Sequence, residues 1–566
     1  MNLPCLRQRL KSLARSRYLV FLLLVLAATR IVQQCGGLPW PLPAWRLEIP
    51  LLLYLYLLGN LATRPSRLQP VIAALPILLL YAVFDLYYLQ FGRLLRITEV
   101  NEIPEMLQVL PWGVKILGGL ALGLPLGAFA LSLAPRRLGR AALAGLPLLA
   151  LLVAVKATPE GFMTGFEKTQ KEIVFFSDAL SAGNNGRLSM VLYNEARRGS
   201  YLAETVDFRE AAEPLKSFEE AVAQVKAQRS KRNVHLIVLE SFLDPELLRG
   251  AHFSRSPVHP DFAKLVGGKG SLSISPVFGG GTAQAEFEVL CGVPALRELS
   301  GIEFDLFTGA KTLCLPHILE QGGYQAIATN AFVPDFFNST NAYEGMGFDQ
   351  IYYPREYAPG LQSYLSAGDV SGETYMFDGD LLSQNLEFVQ RQLKENRGEP
   401  LFNYVISMYG HLPHDINLDK RPLLIAVAGD LHDEQLVRAV NQHYYRTQAL
   451  AAFIKGLQRI DPKSLIVLVS DHLPPLTYGP NTYRDLGYLD GAENYMHLNR
   501  VYFIENGKPV QYQRIHHFDI PKIVLNYVSR GAYCRDQACG FTRRDEAVDK
   551  TVYRDGYMAI MARAMM

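Results

Sequence analysis

The sequence predicts an N-terminal bundle of membrane-spanning helices followed by an α/β domain with a largely parallel central sheet. Three observations predict it. The first 156 residues are dominated by Leu, Ala, Val and aromatic runs, whereas the remainder has an ordinary polar and apolar mixture. From Asn233 onward, apolar runs of strand length alternate with stretches of helix length, which is the pattern of a largely parallel sheet. At 566 residues the chain is also too long for one compact core. The expected organisation is therefore a transmembrane domain over 1–156, a helical and partly interfacial connector over 157–232, and an α/β domain over 233–566.

Five apolar segments define the expected spans: Tyr18–Val32, Leu47–Ala62, Val71–Phe91, Gly113–Ala134 and Ala141–Val155, several of them near the lower length limit for crossing a bilayer. A cleavable signal peptide is the competing reading of the first, but four more spans follow it and Ala27-Ala28-Thr29-Arg30 is a poor processing site. Arg7, Arg9, Lys11, Arg15 and Arg17 precede the first span. Arg64 and Arg67 separate the second from the third, and Arg136, Arg137 and Arg140 separate the fourth from the fifth. The positive-inside rule puts all three basic stretches in the cytoplasm. With five spans, everything after Lys156 then lies outside.

In the connector, Gly186–Arg198 has apolar positions at helical spacing and a basic end, which suits either the headgroup region or packing on the α/β domain. Strands are expected at Val234–Leu239, Gln325–Thr329, Leu401–Ser407, Leu465–Ser470 and Arg500–Ile504. Helices are expected at Ala283–Leu290, Cys314–Gln321, Leu381–Glu395 and Asp433–Gln458. A net charge of +2 carries no nucleic-acid signal. Cys291, Cys314, Cys534 and Cys539 fall in the external part, where disulfides form: Cys534 and Cys539 make a natural small loop, and Cys291–Cys314 is the remaining pair.

Three stretches carry candidate chemistry. Gly279-Gly280-Gly281-Thr282 precedes a helix-like run, so Thr282 sits either as a nucleophile over backbone amides able to meet an anion or as the capping residue of a Gly-rich turn. Two buried-strand patterns end in Glu240 and in Asp471-His472. Ligands and metals collect at the carboxyl ends of strands in α/β sheets, and convergence of these ends would gather Glu240, Thr282, Asp471 and His472 around one divalent cation. His411, after another buried strand, is either a substrate-contacting or a loop histidine; His414, Arg297, Lys311, Arg500, His516 and His517 carry no assignable role.

Glu240 at a strand end, the Gly-Gly-Gly-Thr-Ala-Gln-Ala-Glu-Phe-Glu run around Thr282, Gly345-Met-Gly-Phe-Asp349, Met408-Tyr-Gly-His-Leu-Pro-His414 and Ser470-Asp-His472 occur in that order behind the five spans. Over roughly residues 18–530 the chain resembles the lipoteichoic acid synthase family and its phosphoglycerol and phosphoethanolamine transferase relatives, members of the alkaline phosphatase and sulfatase superfamily. The resemblance implies a sulfatase-like domain with Thr282 as nucleophile. It implies Glu240, Thr282, Asp471 and His472 as ligands of one Mn²⁺, Mg²⁺ or Zn²⁺, and His411 as a substrate-binding residue. It further implies transfer of a phospholipid headgroup through a phospho-threonine to a cell-envelope glycan or lipid-linked acceptor, at the periplasmic face of a bacterial inner membrane. A membrane-anchored phosphodiesterase or phosphatase, and an inactive relative acting as a binding module, are the alternatives. Sulfate-ester hydrolysis is not expected, because Cys291-Gly-Val-Pro-Ala-Leu-Arg297 sets Pro and Arg at the wrong offsets for formylglycine formation.

Overall fold

The computed structural model describes residues 16–110, 112–173, 178–396, 398–428, 433–534, 539 and 550–566. Cys5 and the basic residues Arg7, Arg9, Lys11 and Arg15 lie outside the described residues. The chain divides into two compact units, Met1–Ala203 and Glu204–Met566.

The first unit is helical: α1 (Arg17–Gln34), α2 (Glu48–Ala62), α3 (Gln69–Phe91), α4 (Trp112–Leu131), α5 (Pro135–Ala144), α6 (Leu146–Ala157) and α7 (Arg187–Glu204), with shorter helices between them. Among the described residues three helices, α1, α3 and α4, are long and apolar enough to cross a membrane, or four if α5 and α6 count as one span. Five spans are thus not what the helix lengths support. With 15 residues, α2 is about 22 Å long against a hydrocarbon core of about 30 Å. The last apolar run is two helices bent by 52°. Gly145 stands at that joint and a proline opens α6, where neither its missing N–H nor its ring disturbs the helix that follows.

A polar centre ties this unit together. The Glu48 carboxylate, fully buried at the start of α2, accepts from the backbone N–H of Arg187 (3.0 Å), Leu188 (3.1 Å) and Ser189 (2.9 Å) and from the Ser189 and Tyr81 hydroxyls. It therefore caps α7 from another helix, placing negative charge at the positive end of the helix dipole. The buried Arg187 guanidinium pairs with Asp85 of α3 and donates to the carbonyl oxygens of Pro39 (3.0 Å) and Leu38 (3.3 Å). The amphipathic stretch after Gly186, expected either in the headgroup region or on the α/β domain, has its first turn built into the helical unit.

The second unit holds eleven described strands: β1 (Val234–Leu239), β2 (His252–Phe253), β3 (Ser271–Ile274), β4 (Gln325–Asn330), β5 (Gln350–Tyr352), β6 (Leu401–Ile406), β7 (Val427–Ala428), β8 (Leu465–Ser470), β9 (Leu498–Glu505), β10 (Lys508–Val510) and β11 (Ile515–His516). Nine form one sheet in the order β11-β3-β9-β8-β1-β6-β4-β5, with β10 on β9. The half from β8 to β5 is parallel, but β9 runs antiparallel to both β8 and β3, so the sheet is mixed rather than largely parallel throughout. Every residue of β1, β6 and β8 is buried, as their mostly apolar runs require in strands covered on both faces. Ile237 and Leu239 of β1, Val405 of β6 and Ile466 and Leu468 of β8 share one apolar cluster with Leu381, Leu382, Phe388 and Val389 of α9 (Asp378–Glu395) and Leu450, Ile454 and Leu457 of α10 (Glu434–Ile460). Helix α8 (Thr282–Cys291) is buried along its whole length.

Candidate active site

The central register builds the site. Leu239 of β1 faces Ser470 of β8, so the next residues, Glu240 and Asp471, leave neighbouring parallel strands at the same level, both fully buried. Thr282 is the first residue of α8, reached through Gly279, Gly280 and Gly281 at φ of 72°, 151° and 88°, a path that side chains would strain. Gly279 N donates to the Leu473 carbonyl at 3.0 Å, which ties this turn to the exit of β8. The Thr282 hydroxyl then lies 3.0 Å from Glu240 Oε2 and 3.4 Å from His472 Nε2.

His472 Nδ1 is 3.0 Å from the Leu473 carbonyl. A carbonyl only accepts, so Nδ1 carries the proton and Nε2 presents its lone pair toward the carboxylates. Asp471 Oδ1 accepts from the backbone N–H of Ser241 (2.7 Å) and His472 (2.6 Å), while its buried Oδ2, 3.2 Å from His472 Nε2, has no hydrogen-bond donor among the described residues. Burial, followed by the charge of Asp471, pushes the Glu240 carboxyl well above the usual range, and burial raises Asp471 as well. Ligand atoms of Glu240, Asp471 and His472 all fall within 4.8 Å of one another. Two buried acids crowding an imidazole lone pair and a hydroxyl, with one carboxylate oxygen left without a donor, fit a divalent cation. Mixed oxygen and nitrogen ligands suit Mn²⁺, Mg²⁺ or Zn²⁺ alike.

A family model described as Sulfatase matches residues 232–528, more than half of the chain. The chain belongs to the sulfatase family. This is the alkaline phosphatase superfamily that the motif order implied. The sulfatase-family chain is 28% identical over 309 residues to a Rhizobium meliloti (strain 1021) protein named for cyclic β-1,2-glucan modification; the match covers 54% of this chain and 44% of that protein, so the chain spans less than half the length of this relative. Among solved structures, Streptococcus pyogenes phosphoglycerol transferase GacH in complex with sn-glycerol-1-phosphate is similar with a TM-score of 0.46 at 18% identity, covering 64% of this chain and 92% of that one. The lipoteichoic acid synthase LtaP from Listeria monocytogenes gives a TM-score of 0.42 at 19% identity, covering 55% and 78%.

The remaining candidates of the sulfatase-family domain separate by their contacts. His411, half-buried, has Nδ1 2.9 Å from the Leu412 carbonyl, so it too carries its proton there and keeps Nε2 as acceptor; the Tyr375 hydroxyl is 3.2 Å from the same ring nitrogen. His414 is buried against Gln442, and burial pushes it down to about 3, so it stays neutral. Arg500 is taken by Asp244 at 2.9 Å, Arg297 reaches the Gly301 carbonyl at 3.3 Å, Lys311 is exposed, and His516 stacks on Phe518. His517 supports the site from beneath: Nε2 lies 2.8 Å from the Ser470 carbonyl and Nδ1 2.7 Å from the Ser273 hydroxyl. Cys291, at the far end of α8 from Thr282, is bonded to Cys314, and Cys534 is bonded to Cys539.

Several participants carry no sequence signal. Ser241, in the left-handed region at φ 47°, donates its hydroxyl to Glu240 Oε1 at 2.7 Å. Ser407 Oγ accepts from Glu240 N at 3.2 Å. Glu286, one turn beyond Thr282, receives the hydroxyls of Tyr343 (2.5 Å) and Tyr404 (2.6 Å) and is pushed up to about 7 by burial. Of these, Glu286 alone falls within the glycine-rich run quoted for the family resemblance.

Proposed function

We propose that this chain transfers the phosphorylated headgroup of a membrane phospholipid, phosphoglycerol or phosphoethanolamine, to an extracytoplasmic glycan or lipid-linked acceptor through a phospho-threonine at Thr282. The observation that carries the reading is the Thr282 hydroxyl at the N-terminus of a buried helix, 3.0 Å from Glu240 and 3.4 Å from His472. Glu240, Asp471, His472 and Thr282 would hold the divalent cation. Such a cation lowers the pKa of a threonine hydroxyl and offsets charge on the attacked phosphoryl group.

In the first half-reaction Thr282 Oγ1 gives up its proton and bonds to the headgroup phosphorus, the bond from phosphorus to the diacylglycerol oxygen breaks, and that oxygen takes up a proton. In the second an acceptor hydroxyl gives up its proton, bonds to the same phosphorus and displaces Thr282 Oγ1, which is reprotonated. His411, with Nε2 as its acceptor nitrogen, would move protons in either half. The α8 backbone amides favour the anionic phosphoryl group. The helices of the first unit support a donor drawn from the bilayer, and the glucan-modification name of the Rhizobium relative supports a glycan acceptor.

The test is the intact mass of the full chain in detergent after incubation with phosphatidylglycerol or phosphatidylethanolamine. An adduct of phosphoglycerol or phosphoethanolamine mass on the parent, absent from Thr282→Ala, is expected. Turnover in Thr282→Ala should fall at least about a thousandfold, roughly 4 kcal/mol of barrier, while bound metal falls only partly. Turnover within about tenfold of the parent, with metal retained, would show that water or acceptor attacks directly.

A further inference from the structure

We propose that the buried ion pair between Asp378 and Arg446 positions Glu240 by holding the two residues that flank Ser241, and that the cation affinity of the site depends on this pair. The inference rests on the reading of Glu240, Asp471 and His472 as cation ligands.

Ser241 joins the two carboxylates: its N–H reaches Asp471 Oδ1 and its hydroxyl reaches Glu240 Oε1, each at 2.7 Å. It does so from φ 47°, a conformation strained for a non-glycine residue that persists only where its surroundings over-determine it. Arg446 of α10 supplies that constraint on both sides. Its Nη2 donates at 3.3 Å to Ser407 Oγ, the same oxygen that accepts the Glu240 N–H, and its guanidinium lies 4.9 Å from the ring centroid of Phe242. Its Nε donates at 2.6 Å to Asp378, the first residue of α9. One fork thus connects two helices to the carboxyl ends of β1 and β6. The backbone closes in behind it, since a Cβ on Gly410 would overlap the Glu240 carbonyl oxygen and Arg446 Nη1.

Stability alone does not account for the pair. Asp378 is 0% and Arg446 2% exposed, and a buried ion pair is commonly no more stabilising than apolar residues of the same volume. What an apolar pair cannot do is set two donors at fixed angles on two different partners, nor can lysine, whose ammonium is a single point on a flexible stem. The role is a positioning one: the described hydrogen bonds of Arg446 reach the site through Ser407. Supporting residues of metal ligands typically change metal affinity 10- to 100-fold when removed.

The test measures Mn²⁺ affinity by calorimetry on the full chain in detergent, for the parent, Ser407→Ala, Arg446→Lys, the double variant Arg446→Met with Asp378→Leu, and Glu240→Gln. The double variant leaves no unpaired buried charge, so its unfolding temperature in chelator should stay near that of the parent while its Kd for Mn²⁺ rises at least about tenfold. Ser407→Ala, which cuts the link and leaves the pair, should weaken binding about threefold or more. Turnover in both should recover at saturating Mn²⁺ with KM for the lipid donor unchanged, a pattern that general loosening of the fold does not produce. Parent-like affinity in Ser407→Ala and in the double variant, with binding lost in Glu240→Gln, overturns this inference alone. A parent that binds no Mn²⁺, or binds it equally well as Glu240→Gln, overturns the cation-site reading and this inference with it.

Discussion

Replacing Cys291 and Cys314 by alanine tests how the nucleophile helix is anchored. Cys291 is the last residue of α8, and its bond to Cys314 closes a loop with a sequence separation of 23. The chain-entropy relation gives about 3.4 kcal/mol for such a loop at 25 °C, against about 2 kcal/mol for Cys534–Cys539 with its separation of 5. For the Glu204–Met566 unit, an unfolding entropy of about 2.1 cal/mol/K per residue sums to roughly 0.8 kcal/mol/K, so the double alanine variant should melt about 4–5 °C lower. Scanning calorimetry of the full chain in detergent, with and without reductant, measures this. On reduction the parent should lose somewhat more than the two alanine substitutions cost, because Cys534–Cys539 opens as well as Cys291–Cys314. Turnover at 25 °C should hold within about twofold, because Thr282 at the other end of the helix is placed by the glycine turn and the Gly279–Leu473 hydrogen bond. A shift under 1 °C, or a loss of turnover greater than tenfold without unfolding, refutes the assignment of this bond as an anchor that acts through the unfolded chain.

Other outcomes are expected. Five crossings require alkaline phosphatase fused after Arg67 or Arg140 to be inactive and after Thr158 active; activity after Arg67 would show that α2 does not cross, as its length suggests, and inactivity after Thr158 would remove the external placement proposed for the catalytic unit. Gly410→Ala should cost at least about 2 kcal/mol and reduce Mn²⁺ binding, because its methyl group meets the Glu240 carbonyl oxygen and Arg446 Nη1, and unchanged melting and binding would contradict the close approach described. Burial pushes His443 down from 6.5 to about 4, with Asp244 and Arg446 acting in opposite senses on it. A depressed histidine leaves the unfolded chain binding the extra proton, so stability is intact above pH 6.5 and is lost as pH falls toward 4, by roughly 3 kcal/mol. Glu286, raised to about 7, acts in the opposite sense, its contribution falling as pH rises from 4.5 to 7. His443→Phe should therefore flatten the acid limb of stability measured in chelator, and an unaltered limb would exclude this histidine as its source.

The parts of the site that were legible lie on elements whose burial forces a mostly apolar run. Glu240 and Asp471 each end such a run, and Thr282 follows three glycines whose positive φ explains their presence. Strand direction leaves no mark in an apolar run, so the strand expected at Arg500–Ile504 gave no sign that β9 runs antiparallel, and β3, β5, β10 and β11 are too short to show a period. Ser241, Ser407, Asp378 and Arg446 were invisible for a different reason. Each is an ordinary residue within its own segment, and meaning comes only when α9, α10, β1 and β6 meet. In the helical unit, hydropathy located the apolar runs but passed over what limits them: the 15-residue length of α2 and the break at Gly145 before α6.

The carboxylate of Glu48 ties that unit to the schedule of protein synthesis. The chain is made from its N-terminus, and Glu48 is added 139 residues before Arg187. At roughly 5–20 residues per second, it waits on the order of ten seconds for the backbone amides it will cap. Tyr81, 33 residues downstream, brings the first of its partners. Until α7 is made, the segment carrying Glu48 and Asp85 holds two acids whose principal donors do not yet exist. Insertion of the apolar helices and completion of their interior are therefore separate events in time, and a chain stopped between residues 85 and 187 keeps both acids and lacks the helix that supplies their donors.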